Sequence, residues 1–130
     1  MKRFISIFAT LVFSFTLMFS NVSFAKERVD WDAFSKNLVK ALKTPNTGLQ
    51  VSAMQKVITY SDKLNISDAA LELVRLYRNH KDERVRQLAL VTINATNNDW
   101  AAGIVKRDYD FEKSAKIKQV MAAIIVAQEK

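Results

Sequence analysis

His80 is the only histidine in a chain that contains no cysteine. A histidine acts as general acid or base when a nucleophile or an orienting carboxylate stands within hydrogen-bond reach. His80 has no second His and no Cys to complete such a set or a metal site, and it falls in a turn between two helical patterns. It reads as a solvated turn residue. Asp108-Tyr109-Asp110-Phe111-Glu112 alternates carboxylates as the opening of a calcium loop does. Such a loop needs Gly at its sixth position and Glu at its twelfth, and here those positions are Lys113 and Gln119. The acids are better read as feeding the first turn of a helix, where they favour the macrodipole. There is no glycine-rich phosphate loop and no Gly-x-Ser-x-Gly. The sequence therefore predicts no catalytic residue, no metal site and no cofactor, and the protein is expected not to be an enzyme.

One charged cluster remains: Arg75, Arg78, Lys81, Arg84 and Arg86, set against Asp82 and Glu83. Arg78 suits a helix C-terminus, and Glu72 stands three residues before Arg75, at pairing distance on a helix. On that account the cluster is structural. The functional account is an anion-facing patch for an acidic protein, a phosphate-bearing polymer or an anionic membrane surface.

Positioning any of these residues falls to helices. Two Gly and one Pro in 130 residues argue against a turn-dense β fold. Six amphipathic stretches follow one another. They run from about Asp30 to Lys43, Thr47 to Tyr60, Ser67 to Asn79, Asp82 to Thr96, Asn98 to Arg107 and Phe111 to Gln128. Asp30 is the expected cap of the first, and Pro45 ends it by forcing Thr44 out of helical geometry. Thr47-Gly48-Leu49-Gln50 has capping-box spacing, and Ser67 is the expected cap of the third helix, with Ile66 and Leu71 as a staple. The expected inward residues include Met54, Leu88 and Val120, while Lys36 and Thr59 fall on outer faces.

Ahead of the helices, Met1-Lys2-Arg3 is basic, Phe4–Phe19 is an uncharged apolar run, and Ser23-Phe24-Ala25 ends small-x-small. This is the pattern of a secretory signal peptide. The run is 16 residues long, short of the roughly 20 that span a bilayer. Residues 1–25 are read as a signal peptide cleaved after Ala25, so the protein is expected to be periplasmic or extracellular. Lys2 and Arg3 leave with it, which takes the formal charge from +7 to +5. That balance is too mild for a dedicated nucleic-acid binder, and no nucleic-acid partner is expected.

The remaining chain repeats. Val51-Ser52-Ala53-Met54 aligns with Val85-Arg86-Gln87-Leu88 and with Ile117-Lys118-Gln119-Val120, at steps of 34 and 32 residues. Leu38-Val39-Lys40, Leu73-Val74-Arg75 and Ile104-Val105-Lys106 share an apolar-apolar-basic order. Three helix pairs follow, at about 30–60, 66–96 and 98–128, none able to bury its apolar face alone. Asp82-Glu83-Arg84-Val85-Arg86-Gln87-Leu88-Ala89 resembles the start of the second helix of a HEAT repeat, with its Asp, Val-Arg and later Ala. The third copy keeps the aliphatic-basic pair, the first loses it at Ser52, and the first helices lack the family's usual Pro.

The chain is thus similar to short exported bacterial HEAT-like proteins. The resemblance implies an all-α, α-α superhelix of three pairs, its concave side lined by the second helices. It also implies that Arg86 braces the loop of an adjacent repeat. In that register Ser52, Arg86 and Lys118 follow the aliphatic anchors, and Lys56, Leu90 and Ala122 form a row away from the intra-pair contact, with Leu90 flanked by Lys56 and Arg86. Leu90 then either anchors a peptide or packs against a neighbouring repeat. The expected function is a protein or peptide interaction module. The alternative is an envelope-associated binder of anionic polymer or lipid, working through the basic patch.

Overall fold

The computed structural model describes residues 28–130. The leader and its cleavage point at Ala25 lie outside the described residues. Every regular element described is helical: α1 (Trp31–Lys43), α2 (Thr47–Tyr60), α3 (Ser67–Asn79), α4 (Glu83–Thr96), α5 (Asp99–Asp108), a 3-10 turn (Tyr109–Phe111) and α6 (Ala115–Gln128). Among them, no helix is long and apolar enough to cross a membrane.

Caps set the frame. Asp30, Asn46, Asp82, Asn98 and Ser114 each accept a backbone N–H from the first turn of the helix that follows, removing one of the donors a helix start leaves orphaned. Two caps differ from the sequence reading. Asn46, not Thr47, caps α2, because the Asn side chain receives Leu49 N–H. At α3 the cap position is Ile66, with no side-chain bond, and Leu71 is exposed, so the expected Ser67 cap and its staple do not form. The last helix also starts later than expected. Ser114 caps it at Ala115, and Tyr109–Phe111 make a separate turn.

The N-cap positions fall sixteen residues apart in all three pairs: Asp30 and Asn46, Ile66 and Asp82, Asn98 and Ser114. Successive pairs are then offset by 36 and 32 residues. The four-residue difference sits in the connections. Six residues, 61–66, join α2 to α3, and only Asn97 and Asn98 join α4 to α5. Asn97 makes that short link with φ 49°, a left-handed helix end that Asn tolerates better than most residues.

Each pair packs on itself, and the pairs follow one another in two rows. α1 touches α3, α3 touches α5, α2 touches α4, and α4 touches α6. The central helix α4 meets α2, α3, α5 and α6, so it buries Val85, Ala89, Leu90, Thr92, Ile93 and Thr96 around much of its circumference.

This corrects the repeat register. The apolar match at 34 residues is two short of the 36 set by the caps. A helix turns about 100° per residue, so two residues carry a side chain nearly to the opposite face. The counterpart of Met54 is Leu90, and both are 0% exposed. Leu90 therefore belongs to the core, not to an exposed row with Lys56. Leu88 and Val120, expected fully inside, are only half-buried. Lys56 and Thr59 are exposed, and Ala122 is half-buried. Burying a side chain such as Leu90 stabilises the fold by about 1.5–3 kcal/mol.

Candidate functional site

The basic cluster spans both junctions: Arg75 lines the first, and Arg78 and Arg86 reach across the second. Most of it is neutralised. Arg86 Nε donates to the Tyr77 carbonyl oxygen at 2.6 Å, and Arg86 Nη2 donates to Glu112 Oε2 at 2.6 Å. Arg78 grips Asp108 with two parallel bonds, Nε to Oδ2 at 2.7 Å and Nη2 to Oδ1 at 2.9 Å. The Tyr77 hydroxyl donates to Asp108 Oδ2 as well. Arg84 folds back on its own cap Asp82, and Arg75 pairs with Glu72 one turn earlier. Lys81 is exposed in the turn. Arg86 does brace a neighbouring loop, but the partner is Glu112 and the loop belongs to the pair that follows.

The acids of 108–112 therefore do not serve the first turn of α6. Asp108 and Glu112 reach back to α3 and α4, and Glu112 Oε1 also accepts the Ser114 N–H. Their titration follows. The Arg78 hydrogen bond holds the Asp108 carboxyl below its ordinary value against the opposing effect of burial. Burial pushes Glu112 up, and the Arg86 and Ser114 hydrogen bonds outweigh it to leave Glu112 lowered. Burial, then the Asp108 contact, pushes the Tyr77 hydroxyl well above its ordinary range. Asp82 is lowered by the Arg84 backbone N–H first. Paired arginines and carboxylates of this kind hold structure together.

The cap register shows what the first junction has at the same positions. Four residues past the N-cap, α2 carries Gln50, α4 carries Arg86 and α6 carries Lys118. All three reach the end of the first helix of their own pair. Gln50 Nε2 donates to the Thr44 carbonyl oxygen at 2.6 Å, Arg86 donates to Tyr77, and Lys118 lies 4.8 Å over the Tyr109 ring. Four residues before the N-cap stand Leu42 and Arg78, and six before stand Leu76 and Asp108. Where the second junction has the Arg78–Asp108 pair, the first has Leu42 and Leu76, both buried.

Where the second junction has Glu112, the first has His80. Its Nδ1 accepts the Asp82 N–H at 3.0 Å, and its Nε2 faces Thr47 Oγ1 at 3.4 Å. His80 is half-buried and bonded on both nitrogens, so the solvated turn residue expected from sequence is a joint between pairs. The first junction is left as a crevice of ≈ 300 Å³ lined by Gln50, Glu72, Arg75 and His80 among others. The depression at the second junction is ≈ 150 Å³.

Charge is divided between the two rows of helices. α1, α3 and α5 carry charged residues along their lengths. In α4 and α6 the only charges, Glu83, Arg84, Arg86, Lys116 and Lys118, fall in the first four residues, and α2 has Lys56 alone. The exposed side of α2, α4 and α6 presents Ser52, Gln55, Lys56, Thr59, Val91, Ala123 and Val126, so Lys56 is its one charge beyond the first turns. In the cap register Gln55, Val91 and Ala123 are equivalent, and all three are exposed. Sequence reasoning sought the surface row on these helices and selected Leu90 instead of Val91. The fixed sixteen-residue cap interval was the signal that would have set the phase.

Among the described residues, no group of three or more His, Cys, Asp or Glu is placed to hold a metal ion. Compared with family models, with curated proteins and with solved structures, the chain finds no match in any of the three.

Proposed function

We propose that this chain is an exported, non-enzymatic HEAT-like solenoid whose α2–α4–α6 face receives another protein or peptide. The observation that carries the reading is the near absence of charge on that face. The core of a protein interface is depleted in charged residues relative to the rest of a surface. Here an exposed, uncharged row, Gln55–Val91–Ala123, runs across three helices while the opposite row keeps its charges. Val91 and Val126 are exposed apolar side chains on this face, available as anchors of the kind that dominate binding energy. Repeat stacks commonly work through such extended surfaces.

Binding of an anionic polymer or lipid through the Arg75–Arg86 cluster has less support, because Arg75, Arg78, Arg84 and Arg86 each already face a carboxylate.

The test is a photo-crosslinking residue placed at Val91 and, separately, at Lys36 on the α1 side. The expected result is a discrete crosslinked species from position 91 that survives high salt, with none from position 36. Contacts made through exposed charges weaken as salt rises, and contacts on an uncharged face do so much less. Equal crosslinking from both positions, or loss of the position-91 product with salt, would overturn the reading.

A further inference from the structure

The crevice at the first junction holds two buried polar side chains, one with an unpartnered oxygen and one whose carboxylate is met by a single, mostly exposed cation. Gln50 is 7% exposed, and its buried Oε1 has no hydrogen-bond partner among the described residues. Glu72 is 4% exposed, and among the described residues its one paired cation is Arg75, whose Nη1 donates to Oε1 at 3.4 Å and Oε2 at 3.3 Å. Arg75 itself is 65% exposed at the side chain, so the carboxylate is held from the solvent side only. A buried acceptor left unpaired keeps the full cost of its lost hydration, and a charged one more so.

The backbone adds to the demand. α1 ends at Lys43 and α3 ends at Asn79, and Lys43, Thr44, Asn79 and His80 all line the crevice. Two helix C-termini, each carrying partial negative charge, therefore converge on it. The deep groups are acceptors, and the cations Lys43 and Arg75 stand at the rim. Nothing equivalent exists at the second junction, where Arg86 occupies the Gln50 position and bonds with Tyr77 and Glu112.

We infer that this crevice binds a primary ammonium group, seated between the Glu72 carboxylate and Gln50 Oε1. An ammonium offers three donors and one positive charge. It is the compact group that meets a buried carboxylate, an orphan amide oxygen and helix-end carbonyls together. A lysine side chain of a peptide and a free aliphatic diamine both present it. The site lies at the loop edge of the first two pairs and stands independently of the charge-poor α2–α4–α6 face.

The experiment is an NMR titration of the purified protein, in the N-terminal form in which it accumulates, followed through the Gln50 side-chain amide. The probes are n-butylammonium, n-butanol and tetramethylammonium. Butylammonium gives saturable shifts, butanol gives none, and tetramethylammonium, which has the charge without N–H donors, binds more weakly. Glu72→Gln lowers the affinity for butylammonium by about tenfold or more, the scale of a lost charge-assisted bond. Arg75→Ala leaves the buried groups in place and raises that affinity, because it removes the competitor for Glu72. Tighter binding of a lysine-containing peptide than of 1,4-diaminobutane assigns the lysine source, and the reverse order assigns the diamine. Equal shifts from butanol and butylammonium, or an Arg75→Ala variant that binds no tighter than the parent, would overturn the inference.

Discussion

The junction between the first and second pairs and the junction between the second and third occupy the same positions relative to the caps, with opposite chemistry. At the first, Leu42 and Leu76 meet as apolar side chains, Gln50 is half-satisfied, and a crevice of ≈ 300 Å³ stays open. At the second, Arg78–Asp108 and Arg86–Glu112 cross the seam as ion pairs. A repeat thus conserves where a side chain stands and leaves open what it does there. The same geometry closes one seam with charge and leaves the other able to accept a ligand.

The widest gap between the junctions is expected at the position four past the cap. Arg86→Met leaves Glu112 buried without its cation and should cost about 3–5 kcal/mol in a urea melt. Adding Glu112→Leu should recover most of that loss, since a buried pair replaced by apolar residues is often neutral. The matching change at the first junction, Gln50→Met, removes an orphan acceptor, and its cost should stay below about 1 kcal/mol. Comparable losses at the two positions would break the contrast.

The next effect tests the helix both junctions share. Leu90→Ala should cost about 2–5 kcal/mol by leaving a cavity, and Leu88→Ala, half-buried two residues earlier, clearly less. A reversed order would restore the 34-residue register and undo the equivalence of Gln50 with Arg86. Smaller again is Arg78→Ala. The Arg78 side chain is partly exposed, and loss of such a pair should cost about 1 kcal/mol or less, shrinking further in high salt.

The gentlest contrast is with acid. Asp108 and Glu112 titrate below their ordinary values in the folded protein. Their contribution is therefore full above the unfolded values near pH 4 and is lost as pH falls through the lower folded values. Amide exchange followed from about pH 5 downward, through the carboxylate range, should show α5 and α6 losing protection before α1–α3. Simultaneous loss throughout would mean that the second junction is not the acid-sensitive seam.

Six helices were legible because apolar residues recur at helical spacing and because Asp30 and Pro45 punctuate the first. The sequence was also read as three helix pairs, and the six helices do pack pair by pair. The phase between copies was not legible. Val51 resembles Val85 as a residue, but the connection 61–66 holds four more residues than Asn97-Asn98, and loop length leaves no trace in an apolar pattern. That error put Leu90 in one row with Lys56 and left its packing an open alternative, where the structure seals it in the core. The sequence pointed to the arginines at 75–86, and it even suggested Glu72 as a partner. It singled out Asp108 and Glu112 too, but did not pair them with these arginines, because they lie about thirty residues further along the chain and meet them only once α5 is laid against α3.

What the sequence alone determined is local: helix type from periodicity, and the start of the first helix from Asp30. What the tertiary structure decided is which polar groups lose their water. Glu72 and Gln50 are ordinary helix residues as text, and each becomes a buried acceptor because the second pair lands on the first. Val91 and Leu90 are neighbours of the same apolar kind, and one is exposed while the other is sealed, because α4 is surrounded on every side but one. Burial depends on elements distant in the chain, and no local spacing encodes it.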